Sequence, residues 1–431
     1  MKLKIHFVGI GGIGISALAR LAAHEGHEVS GSDIAETPLV AKLRAEKIAI
    51  NIPHNADAVA DANLVIHSAI IKPDNCEILA ARSRGIEVLH RREALARLLA
   101  DKEVFAVAGA HGKSTTTAIL AAILECSALI GAEAKSFGSN VRFVEGKTLV
   151  FEADESDASF LCCNPSLAIV TNAEPEHLEY YGYDLARFYG AYEKFLSLCE
   201  TRILNAEDEF LARYAGDAAR LKPSADITNL RYELIGGEPH TTFALQGRGE
   251  FSVWGFGEHI AIDAALAILA AEQKLPLETI RAKIGGYKGI KKRFDILKRG
   301  ENLAIIDDYG HHPTEIEATL KSAREYKRLA GLSKVAAIWQ PHKFSRVIHN
   351  LDRFVECFNG VDELAILPVW AAGEEYVEID FAGKFARYKP VLARNLEEFA
   401  NCRDLTRGLI IGFGAGDLTY QLRSLVAASS S

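Results

Sequence analysis

Apolar and polar positions along the chain fall into a repeating cycle of short apolar runs and longer stretches with helical spacing. Lys4–Val8 reads as a strand, residues 13–23 as a helix and Glu28–Ser32 as a second strand. Leu64–His67 and residues 87–89 add further short strands with helical patterns between them, and residues 91–102 form a charged helical segment. A second cycle opens with a β-rich run at 104–108 and a helix at 115–124. Apolar runs at 149–151 and 167–171 follow, each ending in a cluster of polar residues, and an Ala/Leu-rich helix at 262–272 closes this region. The third cycle starts near Arg293, with strands at 303–306, 335–338, 364–367 and 409–411 and helices at 313–330 and 347–358. Residues 427–431 read as a frayed tail.

Alternation of strand and helix implies parallel sheets covered by helices. The chain is therefore expected to be an α/β protein of three domains. These are an N-terminal domain (1–98), a central domain (99–290) and a C-terminal domain (291–431). A length of 431 residues has room for about two to four domains.

Composition removes several classes. With 49% hydrophobic and 25% charged residues, the chain has the make-up of an ordinary soluble protein. A net charge of −8 without a basic run argues against a general nucleic-acid binder, whose affinity comes from neutralising phosphates. The seven cysteines are scattered without paired spacing, which points to reduced thiols in a cytoplasm rather than disulfides or zinc. Lys2 and Lys4 before the apolar stretch ending at Ala19 resemble a secretory signal. Gly9, Gly11, Gly12 and Gly14 spoil its helical apolar core, however, and their spacing has another meaning. No stretch is long and apolar enough to span a bilayer.

Gly9-Ile10-Gly11-Gly12-Ile13-Gly14 places GxGxxG between a strand and a helix. The glycines allow a tight turn, close approach of backbone N–H groups to a diphosphate, and close helix–strand packing. The helix N-terminus adds partial positive charge. Asp33 ends the next strand, where a carboxylate can bind a ribose hydroxyl. The loop recognises a diphosphate and not a base, so a nicotinamide dinucleotide and a UDP-sugar both remain open.

Gly109-Ala110-His111-Gly112-Lys113-Ser114-Thr115-Thr116 also joins a strand to a helix. Val107 stands where the longer phosphate-loop pattern has its first glycine, so this is a shorter GxxGKS form. Lys113 can put a cation on the β- and γ-phosphates of ATP, and the Ser114 hydroxyl can ligate Mg²⁺. Glu152-Ala153-Asp154-Glu155-Ser156-Asp157 follows one strand, and His177 lies shortly after another. Carboxylates at strand ends suit Mg²⁺. A histidine ligand is unusual for that ion, so chemistry alone makes His177 a hydrogen-bonding or core residue.

Together these residues resemble the Mur ligase family along almost the whole chain. The resemblance rests on the two glycine loops, the EADESDASF segment (152–160) and the TNAEPEH segment (171–177). It continues through Lys292-Arg293-Phe294-Asp295, the DDYGHHPTE segment (307–315) and Gln340-Pro341-His342-Lys343. It implies a Rossmann-like UDP-sugar-binding N-terminal domain, a central P-loop ATPase α/β domain and a Rossmann-like C-terminal domain that closes over both. The implied reaction joins L-alanine to UDP-N-acetylmuramate through an acyl phosphate, using ATP and Mg²⁺, in the cytoplasm, as a monomer or homodimer.

The same resemblance implies residue roles. Gly11, Gly12, Ile13 and Gly14 would face the UDP diphosphate, with Asp33 and Ser68 near the uridine. Gly109, His111, Gly112, Lys113, Ser114 and Thr115 would hold ATP. Ser114, Glu152 and His177 would hold the metal, with Glu155 an alternative to Glu152. Arg293 would reach the ATP phosphates and Asp308 the ribose. Tyr309, His311, His342 and Arg346 would surround the amino acid, an arginine being suited to a bidentate grip on its carboxylate. Lys113, His177, Arg293, His311 and His342 are the candidate catalytic residues.

Three departures stand out. Ala110 replaces a hydroxyl residue of the phosphate loop. Gly257-Glu258-His259-Ile260-Ala261-Ile262-Asp263-Ala264 lacks both asparagines of the adenine-side pattern, leaving Asp263 to accept from the adenine amine. Lys343 and Phe344 stand where Arg and Tyr are usual. The nearest alternative is a relative that attaches a preformed tripeptide to the same sugar nucleotide. More remote alternatives are an NAD-dependent oxidoreductase and a non-catalytic nucleotide-binding regulator.

Overall fold

The computed structural model describes residues 2–428. By spatial clustering the chain forms two units, Met1–Ile227 with Ile262–Tyr287, and Thr228–Ala261 with Lys288–Ser431. The division falls inside the helix Glu258–Ala271.

The first unit holds two sheets. Strands β1 (Lys4–Val8), β2 (Glu28–Ser32), β3 (Ala49–Asn51), β4 (Leu64–His67) and β5 (Glu87–His90) form a parallel sheet in the order β3-β2-β1-β4-β5. The order reverses beside β1, the switch point where such sheets bind ligands. The second sheet contains β6 (Glu103–Ala108), β7 (Ser127–Ala134), β8 (Ser139–Arg142), β9 (Thr148–Glu152), β10 (Leu167–Val170), β11 (Thr201–Asn205) and β12 (Ala219–Leu221), in the order β12-β11-β10-β6-β9-β7-β8. Only the β7–β8 pair at its edge is antiparallel. Both faces of a central parallel strand are covered, and β10 (LAIV) is accordingly buried at every position.

One hydrophobic core runs through both sheets, from Ile5, Phe7 and Leu18 to Val104, Phe151 and Phe160. Phe160 is fully buried and packs on Tyr192 and Phe195, with ring centroids 5.3 and 4.9 Å away. Its partners lie on the helix Leu185–Ser197, which Asp184 caps by accepting from the Ala186 and Arg187 N–H groups.

The second unit has a three-stranded sheet and a six-stranded one. β13 (Ile227–Ile235), β14 (Glu238–Leu245) and β15 (Gly249–Trp254) form the small sheet, with β14 and β15 antiparallel. No apolar run marks these strands, because each buries only part of its length. β16 (Asp295–Arg299), β17 (Leu303–Asp308), β18 (Val335–Trp339), β19 (Glu363–Ile366), β20 (Val391–Leu392) and β21 (Gly408–Phe413) form the large one, in the order β16-β17-β21-β18-β19-β20. It is parallel except for β16. Against it lies the helix Pro313–Leu329, which starts with Pro313 and a His312–Glu315 capping box. Its buried Ile316, Leu320, Ala323 and Tyr326 recur at helical spacing.

Three expected elements differ. The single helix expected over 347–358 is two, Phe344–His349 and Leu351–Cys357. The break falls at Asn350, which has φ −114° and ψ 16° and whose side-chain amide donates to the Arg346 carbonyl at 3.1 Å beside its own N–H at 3.2 Å. The segment expected to be helical over 91–102 ends at Leu98. Of the expected frayed tail, Ala427 and Ala428 belong to the helix Leu418–Ala428, and 429–431 lie outside the described residues. Among the described residues no helix is long and apolar enough to cross a membrane.

Candidate functional site

The glycine loop leaves the carboxyl end of β1. Gly9 has φ +77°, and its N–H and that of Ile10 both donate to the Ser32 carbonyl at 2.9 Å. Asp33 does not stand apart from the loop as a ribose ligand alone: its carboxylate accepts from the Gly11 N–H at 2.7 Å and from the Ile34 N–H at 2.7 Å. The loop is thus tied to β2 by backbone and side chain together. A side chain at Gly11 would come within 2.7 Å of the Asp33 carboxylate. Ser68 lies on the other side, its N–H donating to the Val8 carbonyl at 3.0 Å and its Cβ 3.2 Å from where a Gly9 side chain would begin. Ile13 and Gly14 open the helix Ile13–His24, whose first turn has no side-chain cap. Its N–H groups are therefore available to an anion.

The phosphate loop follows β6. Gly109 (φ +136°) and Gly112 (φ +82°) supply backbone conformations that side chains rarely adopt. A Cβ on Gly109 would lie 2.1 Å from the Thr171 hydroxyl and 2.8 Å from the Asn172 carbonyl. The end of β10 pins the loop, with Asn172 bonded to both the N–H (3.1 Å) and the carbonyl (2.9 Å) of His111 and Thr171 to the same carbonyl at 2.5 Å. The His111 ring is 3.6 and 3.5 Å from the carboxylates of Glu174 and Glu176. Asp263, expected on the adenine side, is buried against the loop itself: a Cβ on Gly112 would lie 2.4 Å from its carboxylate.

Two acidic residues after β9 divide their work. Ser114 donates to Glu152 at 3.0 Å, and Glu152 also accepts from the Gly131 N–H at 2.7 Å. Lys113 instead contacts Glu155, with its ammonium 3.0 and 2.9 Å from the two oxygens, and donates to the Gly109 carbonyl at 2.5 Å. Burial pushes the Glu155 carboxyl up, with Lys113 opposing. Thr115 is buried one residue beyond Ser114. His177 has φ +52°, and its Nδ1 lies 3.8 Å from the Glu179 carboxylate. Of the expected metal ligands, the structure joins Ser114 and Glu152 by a direct contact, and His177 has no such contact with either. Among the described residues no group of three His, Cys, Asp or Glu side chains is placed to hold a metal.

In the second unit Asp308, Tyr309 and His311 lie at the carboxyl end of β17, and His342 and Arg346 follow that of β18. Asp308 is buried and accepts from the Phe294 and Gly310 N–H groups, both at 2.8 Å. Burial pushes its carboxyl up to about 7, against those two bonds and the Arg293 charge. Tyr309, His311, His342 and Arg346 form one chain of contacts. The Tyr309 and His311 rings are 5.3 Å apart and those of His311 and His342 are 5.9 Å apart. The Arg346 guanidinium is 2.9 Å from His342 Nδ1. Burial, with Arg346 and His311 beside it, pulls the His342 imidazole down to about 4. Gln340 fixes the segment by bonding Asp417 at 2.5 Å and the Leu418 N–H at 3.2 Å.

The sequence reading missed Arg91, which lies beside Gly14 and contacts the Asp154–Ser159 segment. Its only signal was a position at the start of a helix after β5. The loop-pinning role of Thr171 was likewise hidden within a longer motif.

A sheet with a diphosphate-type glycine loop, joined through one core to a sheet with a phosphate-loop lysine, defines a nucleotide-binding α/β protein. The chain belongs to the Mur ligase family. Residues 4–103 match the Mur ligase family catalytic domain, 107–271 the Mur ligase middle domain and 292–418 the Mur ligase glutamate ligase domain. It is 52% identical to the UDP-N-acetylmuramate–L-alanine ligase of Campylobacter curvus, over 97% of this chain and 99% of that protein. The UDP-N-acetylmuramate–alanine ligase structure from Thermotoga maritima superposes with a TM-score of 0.85 at 30% identity, covering 99% of both chains. A murein peptide ligase from Psychrobacter arcticus shares the fold, with a TM-score of 0.64 at 22% identity over 99% of this chain and 98% of that one. The architecture is the three-domain one of this family.

Proposed function

We propose that this protein joins L-alanine to UDP-N-acetylmuramate through an acyl phosphate, with conversion of ATP to ADP and phosphate, supplying a peptidoglycan precursor. The observation that carries the reading is the full-length likeness to UDP-N-acetylmuramate–L-alanine ligases at 52% identity. The two anion-binding loops of the first unit give it a physical basis. The three domains are taken as 1–98, 99–290 and 291–431. Seven free cysteines suit a cytoplasmic setting.

The muramoyl carboxylate is a poor electrophile, and transfer of the γ-phosphoryl group to it creates a good leaving group. Lys113 and Arg293 offset charge on the transferring group, and Asp308 binds the ATP ribose. Mg²⁺ would sit at Ser114 and Glu152, with His177 the third expected ligand. The hydroxyl and carboxylate oxygens already paired there suit a hard cation, which neutralises phosphate charge. The neutral amine of L-alanine then attacks the acyl phosphate, and phosphate leaves. Tyr309, His311, His342 and Arg346 surround the amino acid. A neutral His342 beside a permanent Arg346 cation pairs a proton acceptor with a carboxylate clamp.

The test is phosphate release from ATP and UDP-N-acetylmuramate with each of the twenty amino acids and with the L-Ala-D-Glu-diaminopimelate tripeptide. L-Alanine is expected to give the highest kcat/KM. Preference for the tripeptide would replace this reading with the recycling activity.

A further inference from the structure

Arg91 begins the helix Arg91–Leu98, directly after the β5 strand. The neighbouring His90 fixes that start: it accepts from the Arg92 N–H at 3.2 Å, and its own N–H donates to Glu93 at 2.8 Å. The side chain therefore leaves from a defined point, and its guanidinium reaches two places at once. Nη1 lies 2.3 Å from where a Cβ on Gly14 would be, so it rests against the backbone at the first turn of the helix Ile13–His24. Nη2 contacts Ser159 Oγ at 3.1 Å, Asp157 Oδ2 at 3.3 Å and Asp154 Oδ2 at 3.5 Å.

A cation beside a helix N-terminus is electrostatically misplaced, because that end carries partial positive charge. The acidic segment offsets this through Nη2, and among the described residues Nη1 meets no carboxylate. A guanidinium presents its donors in a fixed fork, so Nη1 is held beside Gly14, at the end of a helix whose first N–H groups have no side-chain cap. An anion seated on the loop would complete the arrangement, with N–H groups on one side and Nη1 on the other. Gly14 then has a second purpose besides helix–strand packing: any side chain there would drive the guanidinium away.

We propose that Arg91 binds the diphosphate of the sugar nucleotide through Nη1 while Nη2 holds the Asp154–Ser159 segment. That segment carries Glu155, the partner of Lys113, and follows Glu152, the partner of Ser114. Arg91 thereby links occupancy of the sugar-nucleotide loop to the carboxylates of the phosphate loop. The inference rests on the sugar-nucleotide reading of the glycine loop.

Binding of UDP and of uridine to the full chain, followed by NMR titration, tests it. Arg91→Ala is expected to weaken UDP by roughly 10–100-fold, the worth of a charge-assisted hydrogen bond in a partly buried site. Uridine, which lacks the diphosphate, should bind as it does to the wild type. Arg91→Lys keeps the charge but not the fork, and should recover part of the loss. Unchanged UDP affinity in Arg91→Ala would overturn the proposal, as would an equal loss for uridine, which marks a general disturbance of the fold. If the wild-type chain binds no UDP, the reading of the glycine loop falls, and this assignment with it.

Discussion

The ammonium of Lys113 lies 3.0 and 2.9 Å from the two carboxylate oxygens of Glu155, and Glu155 is only 1% exposed. Such a pair is worth little against well-packed apolar groups, but removing one member strands the other. Lys113→Met should therefore abolish ATP-dependent turnover and also destabilise the fold by about 3 kcal/mol. Adding Glu155→Gln to it should restore most of the stability and none of the activity. Urea unfolding of the two single variants and the double variant measures the coupling. Independent, additive losses would contradict it.

Glu152 has a different partner and a different expected phenotype. Glu152→Gln keeps an acceptor for the Gly131 N–H but loses the charge beside Ser114. The Mg²⁺ concentration for half-maximal phosphate release should rise by roughly 10-fold. The same change at Glu155 should shift it much less. A magnesium titration at saturating ATP compares the two.

The segment carrying both carboxylates is anchored by Phe160, fully buried between Tyr192 and Phe195. Phe160→Ala should cost roughly 3–5 kcal/mol through lost burial and a residual cavity. Denaturant unfolding reads this directly, and a midpoint within error of the wild type would show that the anchor lies elsewhere.

His342 should remain neutral across the working pH range. Its native value of about 4, against an ordinary 6.5, means the native state holds fewer protons than the unfolded chain in between. The stability this contributes is fully present above pH 6.5 and is lost as pH falls towards 4. The ring resonances of His342 should therefore not titrate between pH 8 and 5.5. Arg346→Ala should raise the midpoint while leaving it below 6.5, because burial is the larger cause and persists.

The parallel sheets were legible because strands buried on both faces are plain apolar runs, as at β1, β10 and β21. The loops were legible because glycine and lysine at strand ends have few other uses. The small sheet β13–β15 was not, since its strands are partly exposed and have no continuous apolar run. Nor was the split at Asn350, a departure from helical φ and ψ at a single residue. Among the site residues, the chain from Tyr309 to Arg346 came from resemblance and reappears as direct contacts. The Lys113–Glu155 pairing and the position of Arg91 were beyond reach, because both depend on which of several nearby charges meet in space. Asp263 was read for the adenine side; that its carboxylate lies beside Gly112 depends on the fold.

Amide formation here requires activation of a carboxyl group by phosphoryl transfer. UDP-N-acetylmuramate labelled with ¹⁸O in its muramoyl carboxylate, turned over with ATP and L-alanine, tests this most directly. Mass spectrometry of the released phosphate should find one ¹⁸O per molecule, carried from the carboxylate through the acyl phosphate. Phosphate without label, alongside normal amide formation, would contradict it.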